Sequence, residues 1–397
     1  MNSFQIKSMQ MHAAKGHELI EKLLNQDVNY GGRQCLILGT VGSGKTTLML
    51  WLAQILRERG EWCIWRGRDV DGYHMLPDWG KKVKILHHEK DEIHIYKVKV
   101  GSTEYGEITD YLKIEKYSCV EDLIQKLEQD KINVIYEPSF WQISEDLAIY
   151  ILQKTGIRIS PWQLREMKGC YFWFEFFEKL LTRKDRRWVS VFVDEADDLI
   201  PQNPNGLQWK LQEWVKNSVK DFRKSLISLF LAVHNAEDCD YRIIRKVPIR
   251  IYLQGARPLG DSLMTDKNIG LKLNLEEGKI EWKGYGYGGF KYSALKQRDY
   301  VIIVDKIWRG QPPTLEIDRR KSRSIIQEVR EIAEREGIEE AMKHAEKLWR
   351  DGEITRRYFY EIRKKLIEGN SKGITATMGL RSDKPSQMEN KATSDGK

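Results

Sequence analysis

Cys35-Leu36-Ile37-Leu38-Gly39-Thr40-Val41-Gly42-Ser43-Gly44-Lys45-Thr46-Thr47-Leu48 is the stretch on which the fold of this chain turns. It opens with a short apolar run, Cys35 to Leu38, of the kind found in a parallel strand buried on both faces. Gly39 to Thr46 then satisfy G-x-x-x-x-G-K-[ST] at every position. Glycines at these places let backbone N–H groups curl around a phosphate without side-chain clash. Lys45 supplies a cation to the outer phosphates, and the Thr46 hydroxyl is a ligand for Mg²⁺. The candidate nucleotide-binding residues are Gly39, Thr40, Val41, Gly42, Ser43, Gly44, Lys45, Thr46 and Thr47.

A helix from Lys45 to about Arg59 follows, with Leu48, Leu52, Ile55 and Leu56 at helical spacing and Gly60 as its C-terminal cap. Its amino-terminal amides and dipole point at the anion. Trp62–Trp65 is the next strand and completes a strand–helix–strand unit.

Far along the chain, Val189-Ser190-Val191-Phe192-Val193-Asp194-Glu195 is an apolar strand ending in two acids. The pattern places Asp194 to hold Mg²⁺ opposite Thr46, and Glu195 to polarise the attacking water as catalytic base. An adjacent Asp-Glu pair separates hydrolytic ATPases from most kinases and GTPases. A third strand, Leu229–Val233, ends in His234-Asn235 and so sets a polar group at the carboxyl edge, where ligands bind in such sheets. His234 joins Glu195 and Lys45 as a catalytic candidate; an ordinary loop residue is the equal alternative for it. Arg223, Arg250 and Arg257, at or near element ends, are candidates for an arginine reaching the ATP of a neighbouring subunit.

Around these motifs the chain divides by composition. Residues 1–30 read as an N-terminal helix with Ile20, Leu23 and Leu24 on one side. The core occupies residues 31–67 and 119–314. Between them, residues 68–118 read as a β-rich insertion with half-exposed strands at Val83–Leu86, Ile93–Tyr96 and Tyr111–Ile114. Helices are expected at 144–154, 161–182 and 207–223. Leu271–Leu275 and Lys279–Trp282 flank Glu276-Glu277-Gly278 as a hairpin, and Tyr300–Val304 is the last core strand. Residues 315–369 form a charged helical domain, and residues 370–397 a disordered tail rich in Ser, Thr, Lys and Gly. The run Gly284–Phe290 alternates glycine with aromatics and reads as a flexible hairpin connection, with a loop stacking on nucleic acid as the alternative. His87, His88, Glu89 and His94 match no standard metal spacing and read as solvated strand residues.

Composition narrows the class. Apolar residues make up 41% of the 397 positions, enough for a large buried core. The net charge of +8 favours an acidic partner such as nucleic acid over a basic one. Five scattered cysteines, with no CxxC pair, suit buried thiols in a reducing compartment. The N-terminus has no signal-peptide core and no apolar run is long enough for a bilayer, so a cytoplasmic location is expected.

The loop at Gly39–Thr46, the distal Asp194-Glu195 pair and the polar-tipped strand after it resemble the additional-strand, catalytic-glutamate division of P-loop ATPases. Within that division, Val193-Asp194-Glu195-Ala196, the intervening helix, Phe222-Arg223-Lys224 and the strand Leu229–His234 resemble the HerA/FtsK superfamily of DNA-translocating ATPases, including small members from archaeal plasmids and viruses. His234 stands where that superfamily usually carries glutamine. The resemblance implies an α/β, RecA-like P-loop NTPase with a mainly parallel central sheet, to which the pattern of this chain adds a β-rich insertion and a C-terminal helical appendage. It also implies ATP and Mg²⁺ as cofactors, double-stranded DNA as partner, and a homo-oligomer such as a hexameric ring. The activity expected is Mg-dependent ATP hydrolysis driving a motor on DNA, in packaging, segregation or processing. The alternative is an ATP-dependent switch that binds protein partners without moving DNA.

Overall fold

In the computed structural model the described residues are 15–141, 168–204, 208–264, 269–293, 295, 299–310, 325–350, 359–360, 362–364 and 366. They fall into two compact units, one taking in the residues up to 310 and the other those from 325 on.

The first unit begins with α1 (residues 15–24), which buries Leu19, Ile20, Leu23 and Leu24. There follow β1 (Gln34–Leu38), α2 (Lys45–Glu58), β2 (Trp62–Arg66), β3 (Val70–Asp71), β4 (Val83–His88), β5 (Asp91–Lys99), β6 (Tyr105–Glu107) and β7 (Ile114–Tyr117). Then come α3 (Val120–Gln125), β8 (Ile132–Ile135), α4 (Lys168–Thr182), β9 (Val189–Val193), α5 (Gln208–Lys224), β10 (Ile227–Val233), β11 (Ile249–Tyr252), β12 (Glu277–Trp282), β13 (Gly286–Lys291) and β14 (Tyr300–Trp308).

Ten of these strands form one sheet in the order β13-β12-β11-β1-β10-β9-β2-β8-β4-β7. From β11 to β7 all neighbours run parallel, while β12 and β13 add an antiparallel edge. The β1, β2, β8, β9, β10 and β11 strands are buried at every position, which is why they read as near-continuous apolar runs. On one face, Trp65, Phe192 and Phe230 stand in register across β2, β9 and β10, with ring centroids 6.0 and 4.7 Å apart. This stack fixes the lateral alignment of the three strands whose carboxyl ends carry the candidate chemistry.

β10 lies between β1 and β9, so one additional strand separates the glycine loop from the acidic pair. The mainly parallel α/β sheet expected from the sequence is present.

The 68–118 segment is β-rich as expected, and its strands divide between two sheets. β4 and β7 extend the main sheet, and only β3, β5 and β6 join a second, antiparallel sheet of order β3-β14-β5-β6. β4 looked half-exposed because Lys84, His87 and His88 interrupt its apolar residues, yet all six positions are buried. Lys84 is compensated in place by Glu115 at 2.5 Å and Glu128 at 3.0 Å. His87 and His88 are buried rather than solvated, with His88 stacked on Trp308 at 5.7 Å. Among the described residues no group of three or more His, Cys, Asp or Glu side chains is arranged to hold a metal ion by itself.

Three further expectations shift. β12 pairs with β13, so the hairpin turns at residues 283–285 and the Gly284–Phe290 run supplies its second strand rather than a loop. Residues 269–272 are a short 3₁₀ turn. β14 extends to Trp308 and is the central partner of β3 and β5 in the second sheet.

The second unit contains α6 (Ile325–Glu336) and α7 (Ile338–Arg350), joined at Gly337. Its core is built from Val329, Ala341, Ala345, Phe359, Ile362 and Leu366. The helix expected at 144–154 and the tail at 370–397 lie outside the described residues. Among the described residues no helix is long and apolar enough to cross a membrane.

Candidate active site

Each strand of the parallel block delivers its next residues to the same carboxyl edge. The loop Gly39–Thr46 follows β1, Arg68 follows β2, Asp194 and Glu195 follow β9, and His234 follows β10. The loop closes into α2 through Gly44, whose φ of 87° lies in the left-handed region. A Cβ at Gly44 would also stand 2.6 Å from the Tyr292 hydroxyl.

Lys45 Nζ donates to the Gly39 carbonyl at 2.8 Å and to the Thr40 carbonyl at 3.0 Å, and lies 2.9 Å from His234 Nδ1. An ammonium is a donor only, so His234 Nδ1 is the acceptor in this contact and the imidazole proton sits on Nε2. Burial pulls the Lys45 pKa down, while Asp194, Glu195 and Asp197 oppose that shift. The lysine is thus anchored to its own loop and to the strand beside it.

Thr46 Oγ1 donates to Asp194 Oδ2 at 2.7 Å, across 148 positions of sequence. Asp194 is buried, and its other oxygen accepts the Glu195 backbone N–H at 3.1 Å. Glu195 itself adopts φ 50°, ψ 62°, a left-handed conformation costly for a residue with a Cβ. Its carboxylate is ion-paired with Arg68 Nη2.

The donor set fits a Mg²⁺ ion carried by a phosphate. Mg²⁺ takes hard oxygen ligands, usually one or two from protein with the rest from phosphate and water. Thr46 Oγ1 and Asp194 Oδ2 meet that need side by side. Inside the loop, the Ser43 hydroxyl is buried without a hydrogen-bond partner, a donor suited to a phosphate oxygen.

The architecture is that of a P-loop NTPase.

No protein-family model and no curated protein matches the sequence. Among solved structures, the chain is similar to the genome packaging NTPase B204 from Sulfolobus turreted icosahedral virus 2, at 10% identity and TM-score 0.38 over 67% of this chain and 99% of that one. It is also similar to the pCW3 conjugation coupling protein TcpA, at 13% identity and TM-score 0.32 over 70% of this chain and 69% of that one. A third is the cytoplasmic domain of the Thermomonospora curvata Type VII secretion ATPase EccC, at 10% identity and TM-score 0.31, over 68% of this chain and 24% of that one. At these values the strand order and the Thr46–Asp194 contact carry the fold assignment.

The three candidate arginines part company within this P-loop fold. Arg250 is fully buried on β11 and paired with Asp261 at 2.8 Å, so it is a structural cation and not a finger. Arg223 ends α5 at the opposite edge of the sheet, where its carbonyl accepts the Gly32 N–H at 2.8 Å and its guanidinium lies 5.5 Å from the Tyr30 ring. Arg257 is exposed on the carboxyl side, three residues beyond Gln254, whose carbonyl accepts the Thr40 N–H at 3.2 Å.

Two residues of this edge escape the motif reading. Arg68 reaches Glu195, and Asp71 organises the turn between them. Asp71 is buried and accepts from Gly72 N–H at 2.8 Å, Trp65 Nε1 at 3.0 Å and Arg68 N–H at 3.1 Å. Burial pushes its carboxyl up to about 7, with Asp194 adding to the rise and the N–H donors opposing it. Gly72 packs so closely on Thr46 that a Cβ there would come within 2.7 Å of its methyl group. The signal available was position alone: Arg68 follows the strand adjacent to β9, and Asp71 lies three residues further on.

Proposed function

We propose that the chain is a Mg-dependent ATPase of the P-loop type, acting as an oligomeric motor on double-stranded DNA. The observation that carries the ATPase reading is the 2.7 Å contact between Thr46 and Asp194, with Glu195 next in the chain. Mg²⁺, when bound, offsets the charge of the β- and γ-phosphates. Gly39 to Thr47 cradle the triphosphate, with Lys45 turning from the loop carbonyls to its outer oxygens. Glu195 accepts the proton of the attacking water as the new oxygen–phosphorus bond forms and the bond from γ-phosphorus to the ADP oxygen breaks, its electron pair leaving with ADP. His234 aligns Lys45, and Arg257 is the candidate reaching a neighbour's nucleotide.

DNA as the partner is supported by the net charge of +8 and by the resemblance of Val193 to His234 to translocating ATPases. Hydrolysis by the full chain, measured with and without duplex DNA across a salt series, tests both halves. Stimulation by duplex DNA that declines with salt, from an assembled oligomer, is expected. A strict monomer whose turnover ignores DNA would discard the motor in favour of the protein-binding switch. For the enzyme itself, Glu195→Gln should retain bound ATP and lose hydrolysis by roughly 10²- to 10⁴-fold.

A further inference from the structure

The two edges of the parallel sheet carry opposite charge. At the carboxyl edge, Glu137, Asp194, Glu195, Asp197 and Asp198 outnumber Lys45, Arg66 and Arg68. At the amino edge, the turns leading into β9 and β10 expose Lys184, Arg186, Arg187, Arg223 and Lys224, against Asp185 and Asp221. β9 is 5 residues long, so about 17 Å of strand separates this basic edge from the acidic pair.

Both turns are pinned by their own residues. The Arg183 guanidinium turns inward and donates to the carbonyls of Leu180, Arg187 and Ser225, each at 2.7 Å. Ser225 belongs to the second turn, so this arginine ties the two together. Asp185 Oδ1 accepts the Arg187 N–H at 3.1 Å, which closes the first turn on itself. Leu226, at φ 58°, closes the second: its N–H reaches the Arg223 carbonyl at 3.2 Å, and its own carbonyl accepts from Val189 at 3.0 Å. The Arg187 guanidinium lies 3.9 Å from the Trp62 ring centroid, a stack that uses its face and leaves N–H groups in its plane. Among the described residues, the side chains of Lys184, Arg186 and Lys224 pair with no acid. A fixed surface of uncompensated cations thus lies at the far end of the strands from the nucleotide loop.

Such a surface fits a polyanion. A duplex gains by releasing its condensed counterions to fixed cations, and it is repelled by the acidic carboxyl edge. Cations on short turns reach phosphates, which carry no sequence information. An anionic bilayer is the other source of surface phosphate. Polybasic lipid-binding segments, however, sit beside a membrane helix or on an amphipathic interfacial helix. Here the cations sit on turns between core elements, and among the described residues no helix is long and apolar enough to cross a membrane.

We propose that the turns leading into β9 and β10 are a contact surface for the phosphate backbone of duplex DNA, with Lys184, Arg186 and Lys224 as direct contacts and Arg187 beside them. The proposal rests on the reading of duplex DNA as partner. It adds where the duplex is met: on the edge opposite the nucleotide, so that this contact and hydrolysis use separate residues.

Binding of labelled duplexes of two unrelated sequences to the full chain, over a salt series, tests this. Affinity should fall with salt and be the same for both sequences. The triple variant Lys184→Ala, Arg186→Ala, Lys224→Ala should bind about 10- to 100-fold more weakly at low salt, with a salt slope shallower by about 2 to 3. Its hydrolysis without DNA should stay at the parental rate. A second triple, Lys99→Ala, Lys343→Ala, Lys347→Ala, removes the same formal charge from exposed positions elsewhere and should keep the parental slope. Arg186→Lys retains the cation and should bind as the parent does. Thermal melting monitors folding, and glutamine at positions 184, 186 and 224 serves if the alanine triple melts early. Parental affinity and slope in the folded first triple, or equal losses in both triples, would overturn the surface while leaving DNA as partner. Parental chain that ignores duplex DNA would remove the DNA reading and the surface with it. So would binding only to vesicles of phosphatidylcholine and phosphatidylserine, which would assign these cations to a membrane.

Discussion

Lys45 Nζ and His234 Nδ1 lie 2.9 Å apart, so the cation of the glycine loop is held by the tip of the neighbouring strand β10. His234→Ala removes one of three acceptors around the ammonium and lets Lys45 settle on Gly39 and Thr40 alone. A loss of roughly 10- to 100-fold in kcat is expected, since small misplacements of a catalytic group carry penalties of that order. His234→Gln retains an acceptor and should recover most of it. Steady-state kinetics on both variants decide the matter: equal, parental kcat values would show that the loop carbonyls place the lysine unaided.

Thr46→Val keeps shape and removes the hydroxyl that donates to Asp194 at 2.7 Å. The Mg²⁺ concentration at half-maximal hydrolysis should rise by about ten-fold, the equivalent of one lost hydrogen bond to a charged group. A magnesium titration of turnover reads this directly. An unchanged half-point would dissociate Thr46 from the metal.

Gly44 and Gly42 separate crowding from backbone strain. Both have positive φ, 87° and 76°, but a Cβ at Gly44 would meet the Tyr292 hydroxyl at 2.6 Å whereas one at Gly42 would meet nothing within 4 Å. Gly42→Ala should cost about 1 kcal/mol, for the left-handed backbone only. Gly44→Ala should lower Tm further, because Tyr292 has to shift. Equal melting temperatures for the two variants would contradict the packing described at α2.

Asp71 makes stability depend on pH in a stated direction. Burial holds its carboxyl near 7 in the folded chain, against roughly 3.9 when unfolded. Between about pH 4 and pH 7 the folded state keeps a proton that the unfolded state has released, so this group's contribution declines as pH rises and levels off above 7. Asp71→Asn removes that decline. Comparing Tm against pH for parent and variant tests it, and parallel curves would show that Asp71 is ionised throughout.

Much of this site was legible because its chemistry is written in contiguous residues. The run Cys35 to Leu48 specifies a strand, a turn and a helix with no reference to the rest of the chain, and Val189 to Glu195 does the same for its strand. What could not be read was lateral order. Residues 83–88 carry lysine and histidines that resemble solvated positions, and only their pairing with β8 and β7 reveals them as a buried strand of the main sheet. Arg250 illustrates the same limit from the other side. Its position near a strand end suggested reach, while Asp261 and Glu281, brought in by the chain after β11, make it an interior ion pair. Arg68 was invisible for a related reason, since no local pattern announces a residue whose partner follows the adjacent strand.

The small sheet has its own consequence for handling the polypeptide. β14 is its middle member, seated between β3 and β5, although it comes from residues 300–308 and they come from the first hundred. A fragment ending before Tyr300 would retain every motif of the phosphate site and yet leave two strands with bare hydrogen-bonding edges. Such a truncation is expected to aggregate rather than serve as a minimal catalytic piece.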